Sequence, residues 1–157
     1  MEIELNNLVK EDVEEVARIE NETFTEPWSK NAIVDTLNEE KMNRTIVAKK
    51  IYKNFDEEIE NSKVLGYIIF SSSKYETSLF SIAVKEEYRG CGIGEKLIFE
   101  MIKIAKNNHS PLIFLEVRKS NEKAISLYKK VGFSIIGERK HFYRKPLEDA
   151  YMMRLTL

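Results

Sequence analysis

Residues 81–94 read SIAVKEEYRGCGIG, which is an apolar run, a polar connection and three glycines within five positions. The apolar run closes the segment 77–84, whose pattern predicts a β-strand. Beyond the glycines, apolar residues recur at helical spacing as far as Asn107, where the pattern ends. The stretch therefore predicts a strand, a turn and a helix N-terminus in direct succession.

The glycines of this turn suit a ligand that carries phosphate groups. Gly90, Gly92 and Gly94 have no Cβ, so the backbone can direct its N–H groups towards a phosphate. The helix N-terminus that follows adds a partial positive charge, and Arg89 adds a full one. A glycine-rich turn without a ligand is the alternative that the spacing alone leaves open.

Two other phosphate-binding signatures do not fit this stretch. A P-loop needs Ser or Thr directly after its lysine, whereas Lys96 is followed by Leu97. A dinucleotide-binding fold would find its acidic residue in Glu116, about 20 residues further on. However, the glycines are spaced G-x-G-x-G, and five residues separate the strand from the first of them. We therefore reject both signatures.

The next strand is predicted over 112–117 by an almost continuous apolar run, which is typical of a strand buried on both faces. Glu116 interrupts the run, and strand alternation places it on the same face as Phe114 and Arg118. A buried carboxylate is unfavourable unless it is paired or faces a wet cleft. An ion pair with Arg118 is thus the structural alternative to a catalytic role.

A further helix is predicted after this strand, with Asn121 as its N-cap and Gly132 at its C-terminal end. Tyr128 lies on its apolar face. Taken singly, Asn121 is a capping residue and Tyr128 a buried aromatic residue whose hydroxyl group finds a partner.

The remaining elements complete an α/β pattern. We predict a helix over about 10–22, a second helix capped by Ser29 that carries Ile33, Val34 and Leu37 on one side, and a polar loop over 53–63. The other strands are expected at 2–8, 44–52, 64–71, 133–143 and 150–156. The order βααβββαβαββ predicts a central mixed sheet of about seven strands flanked by four helices, in a single domain over 1–157.

The composition excludes several classes of protein. The 25 basic and 26 acidic residues leave a net charge of −1, so there is no overall basic field for nucleic acid. No apolar run approaches the ~18 residues of a membrane span. Cys91 is the only cysteine, and His109 and His141 are the only histidines, so a metal-ligand set is not expected. We expect a cytoplasmic protein that needs no metal.

Several motifs together carry a resemblance to a known family. Arg89, Gly92 and Gly94 fit the R/Q-x-x-G-x-G/A acyl-CoA signature of the GNAT superfamily. The block LEVRxxNxxAxxLYxxxGF over 115–133 resembles the second half of its N-terminal acetyltransferases. With Pro27-Trp28-Ser29, Leu79-Phe80-x-Ile82-Ala83-Val84 and Glu148-Asp149-Ala150-x-x-Met153, the chain from about residue 20 onward resembles the RimI-type ribosomal-protein-alanine N-acetyltransferases. The loop 53–63 is longer than is usual there, and residues 140–147 match loosely.

The resemblance implies the GNAT fold and an enzyme that uses acetyl-CoA as co-substrate. It also implies a set of residues that bind the cofactor through the turn, the preceding strand and the later helix cap: Ile82, Ala83, Val84, Arg89, Gly90, Cys91, Gly92, Ile93, Gly94 and Asn121.

The implied reaction is direct transfer of the acetyl group to the α-amine of a protein N-terminus, that of a small-subunit ribosomal protein. Glu116 is expected to act as the base and Tyr128 as the acid, while Pro27, Trp28 and Tyr143 are expected to contact the acceptor. No direct contact with nucleic acid or membrane is implied. A lysine side chain or a small amine as acceptor remains an alternative, and a non-catalytic acyl-CoA sensor is a more remote one.

Overall fold

The computed structural model describes residues 1–38, 42–52 and 63–157, so the loop predicted over 53–63 lies, apart from Lys63, outside the described residues. The described residues form seven strands and four α-helices in the predicted order. Their bounds are β1 Ile3–Asn7, α1 Val13–Thr23, α2 Lys30–Val34, β2 Asn43–Lys50, β3 Lys63–Ser72, β4 Thr77–Val84, α3 Ile93–Asn107, β5 Leu112–Arg118, α4 Glu122–Val131, β6 Ser134–Arg144 and β7 Leu147–Thr156. Short 3₁₀ turns occupy Lys10–Asp12 and Glu86–Tyr88.

The strands form one mixed sheet in the order β1-β2-β3-β4-β5-β7-β6, which confirms the predicted fold class. β1 and β2, β5 and β7, and β6 and β7 are antiparallel pairs. β4 and β5 are parallel, and their register comprises Thr77 with Ile113 and Ser78 with Phe114. β4 continues beyond these pairs to Val84.

The chain divides into two compact units, of which the first comprises Met1–Ile69 and Ser81–Glu100. Its core is an apolar cluster into which α1 packs its apolar face. The cluster includes Val13, Val16 and Ile19 of α1, Ile33 of α2, Val47 of β2, and Tyr67 and Ile69 of β3. The residues that connect β4 to α3 belong to this unit.

The second unit comprises Phe70–Phe80 and Met101–Leu157. Its buried residues include Met101 and Ala105 of α3, Ile113, Leu115 and Val117 of β5, Tyr128, Phe133, Ala150 and Met153. The prediction that β5 is buried on both faces is wrong. Burial alternates along the strand, and the face that carries Glu116 is only half-buried.

Two element ends differ from the prediction for local reasons. Ser29 caps α2 as expected, since its hydroxyl accepts a hydrogen bond from the Ala32 N–H at 3.1 Å. The helix nevertheless ends at Val34, where the Thr36 hydroxyl donates to the Ile33 carbonyl at 2.6 Å and competes with helical hydrogen bonding. β7 begins at Leu147, earlier than predicted, because its register with β6 continues to the pair Arg144–Leu147.

Among the described residues, no helix has both the length and the apolar character needed to cross a membrane.

Candidate active site

The turn between β4 and α3 has the backbone conformation that its glycines permit. Gly90 and Gly92 have φ angles of +79° and +80°, a region that residues with a Cβ rarely occupy. A Cβ added to either residue would meet no atom within 4 Å, so the outer side of the turn is open. α3 begins at Ile93, and the first N–H groups of a helix have no acceptor within it. The turn therefore fits an anionic group that approaches the backbone closely.

Arg89 has a structural contact that the sequence did not predict. Its Nε donates to the carbonyl of Val84 at 3.0 Å, so the side chain closes the turn back onto the last residue of β4. Cys91 is exposed, and its thiol makes only a weak contact of 3.9 Å with the Arg89 carbonyl. Arg89 thus orders the turn in addition to placing a positive charge beside it.

The end of β4 lies unusually close to β3. A Cβ added to Gly66 would lie 2.8 Å from the Ala83 carbonyl oxygen, which is closer than real Cβ atoms come. The Lys85 N–H donates to the Leu65 carbonyl at 2.8 Å just beyond this approach. The glycine inside the apolar run of β3 was the sequence signal for this close contact. The backbone of β3 at Gly66 thus packs directly against the Ala83 carbonyl and leaves no room for a side chain.

A charged cleft of about 390 Å³ opens beside the turn, between α1 and the connection that follows β4. Arg89 is one of its lining residues. Lys85 forms an ion pair with Glu15, and both side chains are largely buried. Burial raises the pKa of Glu15, but its hydrogen bonds to Lys85 and Arg18 outweigh that effect and hold the pKa below its ordinary value. The glutamate is therefore charged at neutral pH.

Pro27 and Trp28 lie in the connection between α1 and α2, where Pro27 is exposed and Trp28 packs partly against the core of the first unit. The Trp28 N–H donates to Oε1 of Glu20 at 3.1 Å. Glu20 is almost fully buried, and the site prediction did not include it. The sequence feature that could have identified Glu20 is a carboxylate on the otherwise apolar face of α1.

Glu116 projects from the half-buried face of β5, with 31% of its side chain exposed. Its ion-pair partner is Arg139 of β6, whose Nε lies 3.5 Å from the carboxylate. The alternative pairing with Arg118 is wrong. Arg118 pairs with Glu148 at 3.3 Å and donates to the carbonyls of Lys145 and Pro146 at 3.0 Å, because the β6–β7 hairpin lies beside the end of β5.

Tyr128 is buried on α4, and its ring packs against Phe133 with 5.8 Å between centroids. Burial, and to a smaller extent the nearby Tyr143, raise the pKa of the Tyr128 phenol far above its ordinary value. The phenol is therefore protonated at neutral pH. Asn121 caps α4 as predicted, since its side-chain oxygen accepts from the Ala124 N–H at 3.2 Å.

Tyr143 lies near the end of β6, in the second unit. The guanidinium group of Arg118 lies over its ring at 4.3 Å, and the ring of Phe142 meets it edge-on at 5.0 Å. Upstream, the His141 N–H donates to Asp149 at 2.8 Å, where the register of β6 and β7 is irregular. These contacts order the β6–β7 hairpin, whose residues 140–147 match the family pattern only loosely.

The predicted site residues fall into two groups, one in each unit. The first unit contains Pro27, Trp28, Ile82–Val84 and the turn 89–94, and the second contains Glu116, Asn121, Tyr128 and Tyr143. In the second unit, Tyr143 contributes after burial to the raised pKa of the Tyr128 phenol, and Glu116 lies beside Arg139. Among the described residues, no group of three or more His, Cys, Asp or Glu side chains is arranged to hold a metal ion.

Comparison with known proteins shows similarity over nearly the whole chain. The profile of the Acetyltransferase (GNAT) family matches residues 13–133. The chain is 32% identical over 153 residues to the "Putative [ribosomal protein bS18]-alanine N-acetyltransferase" of Bacillus subtilis, covering 98% of this chain and 95% of the relative. It is 33% identical over 149 residues to the "[Ribosomal protein bS18]-alanine N-acetyltransferase" of Haemophilus influenzae, covering 93% of each. The crystal structure of the ribosomal-protein-S18-alanine N-acetyltransferase from Escherichia coli superposes with a TM-score of 0.79 at 27% identity, covering 99% of this chain and 94% of that one.

Proposed function

The chain belongs to the GNAT acetyltransferase family and is an acetyl-CoA-dependent N-acetyltransferase, and we propose that its acceptor is the α-amine of a protein N-terminus, that of a ribosomal protein. The observation that carries this proposal is the similarity of 32–33% to the two bacterial relatives named for ribosomal protein bS18, which extends over more than nine-tenths of the chain. Glu116, Asn121 and Tyr128, which are expected of such an enzyme, are all present and follow one another in the expected order along the chain.

We assign the binding of the acetyl-CoA phosphates to the turn 89–94. Two positive-φ glycines with open space outside them, a helix N-terminus and Arg89 support the assignment. Ile82–Val84 are assigned to the pantetheine and acetyl end, which an extended backbone can accompany as a neighbouring strand would. Asn121 uses its side-chain oxygen as a helix cap, and its amide nitrogen is the group assigned to the cofactor.

Acetyl-CoA supplies an activated acetyl group as a thioester, and the chain supplies groups that accept and donate protons. Glu116 is assigned as the base that takes a proton from the acceptor amine, through a water molecule; its half-exposed carboxylate supports this role. Tyr128 is assigned as the acid that protonates the departing thiolate. The role requires a protonated phenol, and burial keeps the proton on Tyr128 at every physiological pH by raising its pKa.

The α-amine is favoured as acceptor by its acidity. A terminal amine has a reference pKa of about 8, against about 10.4 for a lysine side chain, so a larger fraction of it is neutral near pH 7. A single carboxylate base therefore suffices to prepare it for attack. Pro27, Trp28 and Tyr143 are the side chains assigned to hold the acceptor peptide.

The test is a competition between peptides, followed by mass spectrometry. A peptide with a free N-terminal alanine is incubated with acetyl-CoA and the enzyme, beside peptides with other first residues and a lysine peptide with a blocked N-terminus. We expect the free N-termini to be acetylated faster at neutral pH. Equal or faster modification of the blocked lysine peptide would show that the acceptor is a side-chain amine instead.

A further inference from the structure

Glu20 is a buried acidic residue that has no part in the proposed proton transfers. Its exposure is 1%, and it lies on the core side of α1, near the fully buried Ile19 and Val16. A carboxylate in such a place is strongly unfavourable unless several donors compensate for the lost water. The hydrogen-bond donors around the carboxylate therefore decide whether Glu20 can be accommodated in the core.

Three donors from three different segments converge on the Glu20 carboxylate. Oε2 accepts from the hydroxyl of Tyr67 on β3 and, at 2.8 Å, from the hydroxyl of Ser81 on β4. Oε1 accepts from the backbone N–H of Trp28 at 3.1 Å. Burial and the adjacent Glu20 raise the pKa of the Tyr67 phenol far above its ordinary value, so the phenol remains a donor. One side chain thus joins α1, two strands and the loop after α1.

The two ends of this network belong to different parts of the proposed site. Ser81 directly precedes Ile82–Val84, which we assign to the acetyl end of acetyl-CoA. Trp28 belongs to the loop that we assign to the acceptor. Because Ser29 caps α2, the loop is fixed at that end, and the Glu20 contact fixes the residue just before the cap.

We propose that Glu20 is a positioning residue that sets the acceptor loop at Trp28 relative to the acetyl-bearing strand β4. The proposal rests on the proposed function, since it takes Trp28 and Ile82–Val84 as parts of the site. Because Glu20 is 1% exposed, we expect its effect to reach the reaction through the backbone of the loop and of the strand.

A Trp28 fluorescence measurement tests the positioning directly, without turnover. Trp28 is the only tryptophan, so intrinsic emission reports this loop alone. Glu20→Ala is expected to shift the emission to the red and to increase quenching by acrylamide. Glu20→Gln is expected to stay close to the wild type, because its amide oxygen can still accept from the Trp28 N–H.

The matched control is Asp12→Ala in the same unit. Asp12 is also a buried carboxylate, and it pairs with Lys49 at 2.8 Å and accepts from the Val9 N–H at 3.2 Å. Its removal should lower the melting temperature without changing Trp28 quenching. Any change that both alanine variants share is therefore a general loss of stability.

Steady-state kinetics with the acceptor that the wild type prefers provide the second readout. Glu20→Ala should raise KM for the acceptor about tenfold, which is the change that loss of one hydrogen bond to a charged group typically causes. The change in KM for acetyl-CoA should be smaller. Glu20→Gln should have a KM for the acceptor close to that of the wild type. Wild-type quenching and wild-type KM in a destabilised Glu20→Ala would overturn the proposal and leave a purely structural network.

If Glu20→Ala does not fold, Ser81→Ala and Tyr67→Phe each remove one donor and are judged by the same two measurements. Raised quenching or acceptor KM supports the proposal, and unchanged values of both overturn it. A wild-type enzyme that prefers lysine side chains would refute the proposed acceptor. The quenching comparison would still decide the role of Glu20.

Discussion

Tyr128 and Glu116 are chemically different because their surroundings in the second unit differ. Tyr128 is 5% exposed and packs on Phe133, so its phenol keeps its proton. Glu116 is 31% exposed on a half-buried strand face and lies near a positive charge. The roles that we propose, acid for Tyr128 and base for Glu116, match this difference in contact with solvent.

Tyr128→Phe should lower kcat while leaving the fold intact. The ring still packs on Phe133, and only the hydroxyl is removed. A positioned proton donor contributes ~10²–10⁴-fold to the rate, so a loss in this range is expected. Turnover and melting temperature are measured on the same preparation. A folded variant with wild-type turnover would remove Tyr128 from the mechanism.

Glu116→Gln should reduce the rate over a similar ~10²–10⁴-fold range and leave acetyl-CoA affinity nearly unchanged, because the amide keeps the shape and loses the base. The matched variant is Arg139→Gln, which removes the ion-pair partner and keeps the carboxylate. If the ion pair is merely structural, both variants should lose thermal stability alike and keep their turnover. A rate loss confined to Glu116→Gln identifies the carboxylate itself as the functional group.

At the scale of elements, the turn between β4 and α3 is the feature to which we assign binding of the acetyl-CoA phosphates. Its shape comes from two glycines with positive φ and from the Arg89 side chain that closes it onto Val84. Gly66 allows β3 to approach Ala83 closely, and the Lys85 N–H donates to the Leu65 carbonyl beside the start of the turn. These contacts join the end of β4, the turn and the start of α3 within the first unit.

Gly92→Val should weaken acetyl-CoA binding by ~10-fold or more, on the order of 1.4 kcal/mol. Gly92 has φ +80°, which is strained for valine, and the new side chain would fill the open space outside the turn. Isothermal titration calorimetry on the folded variant measures the change. Gly137→Ala is the control, because its Cβ also meets open space but its backbone conformation is an ordinary one. Unchanged affinity in a folded Gly92→Val would show that the phosphates bind elsewhere.

At the scale of the whole molecule, each unit buries a tyrosine whose ionisation the fold suppresses. Tyr67 in the first unit and Tyr128 in the second both have pKa values raised far above the ordinary value, with burial as the largest cause. In the unfolded chain these phenols ionise near pH ~10, whereas in the folded chain they do not. Above that pH the unfolded state binds fewer protons than the folded state.

The free energy of unfolding should therefore fall as the pH rises above ~10, with a slope of up to ~1.4 kcal/mol per pH unit for each such tyrosine. Denaturant titrations at a series of pH values from about 8 upward give the free energy of unfolding at each pH, and hence its slope with pH. Tyr67→Phe and Tyr128→Phe should each make it shallower, and Tyr75→Phe, at a side chain 74% exposed, should not. An identical slope in the wild type and all three variants would show that the two buried phenols do not cause it.

Features that depend on neighbours along the chain could be predicted from the sequence alone. The order of strands and helices, the caps at Ser29 and Asn121, and the glycine turn before α3 follow from periodicity, capping and backbone freedom within a few residues. The motif resemblance correctly indicated the family, because its blocks are short and contiguous.

Contacts between distant residues, in contrast, depend on the tertiary structure. Arg139 pairs with Glu116 across β7, and Arg118 turns instead to Glu148, because strand order and register set these neighbours and the local sequence does not. The half-burial of β5 and the three donors around Glu20 arise in the same way. The physical reason is that periodicity shows which face of an element is buried, whereas the partner of a polar group on that face depends on how the chain packs over long sequence separations.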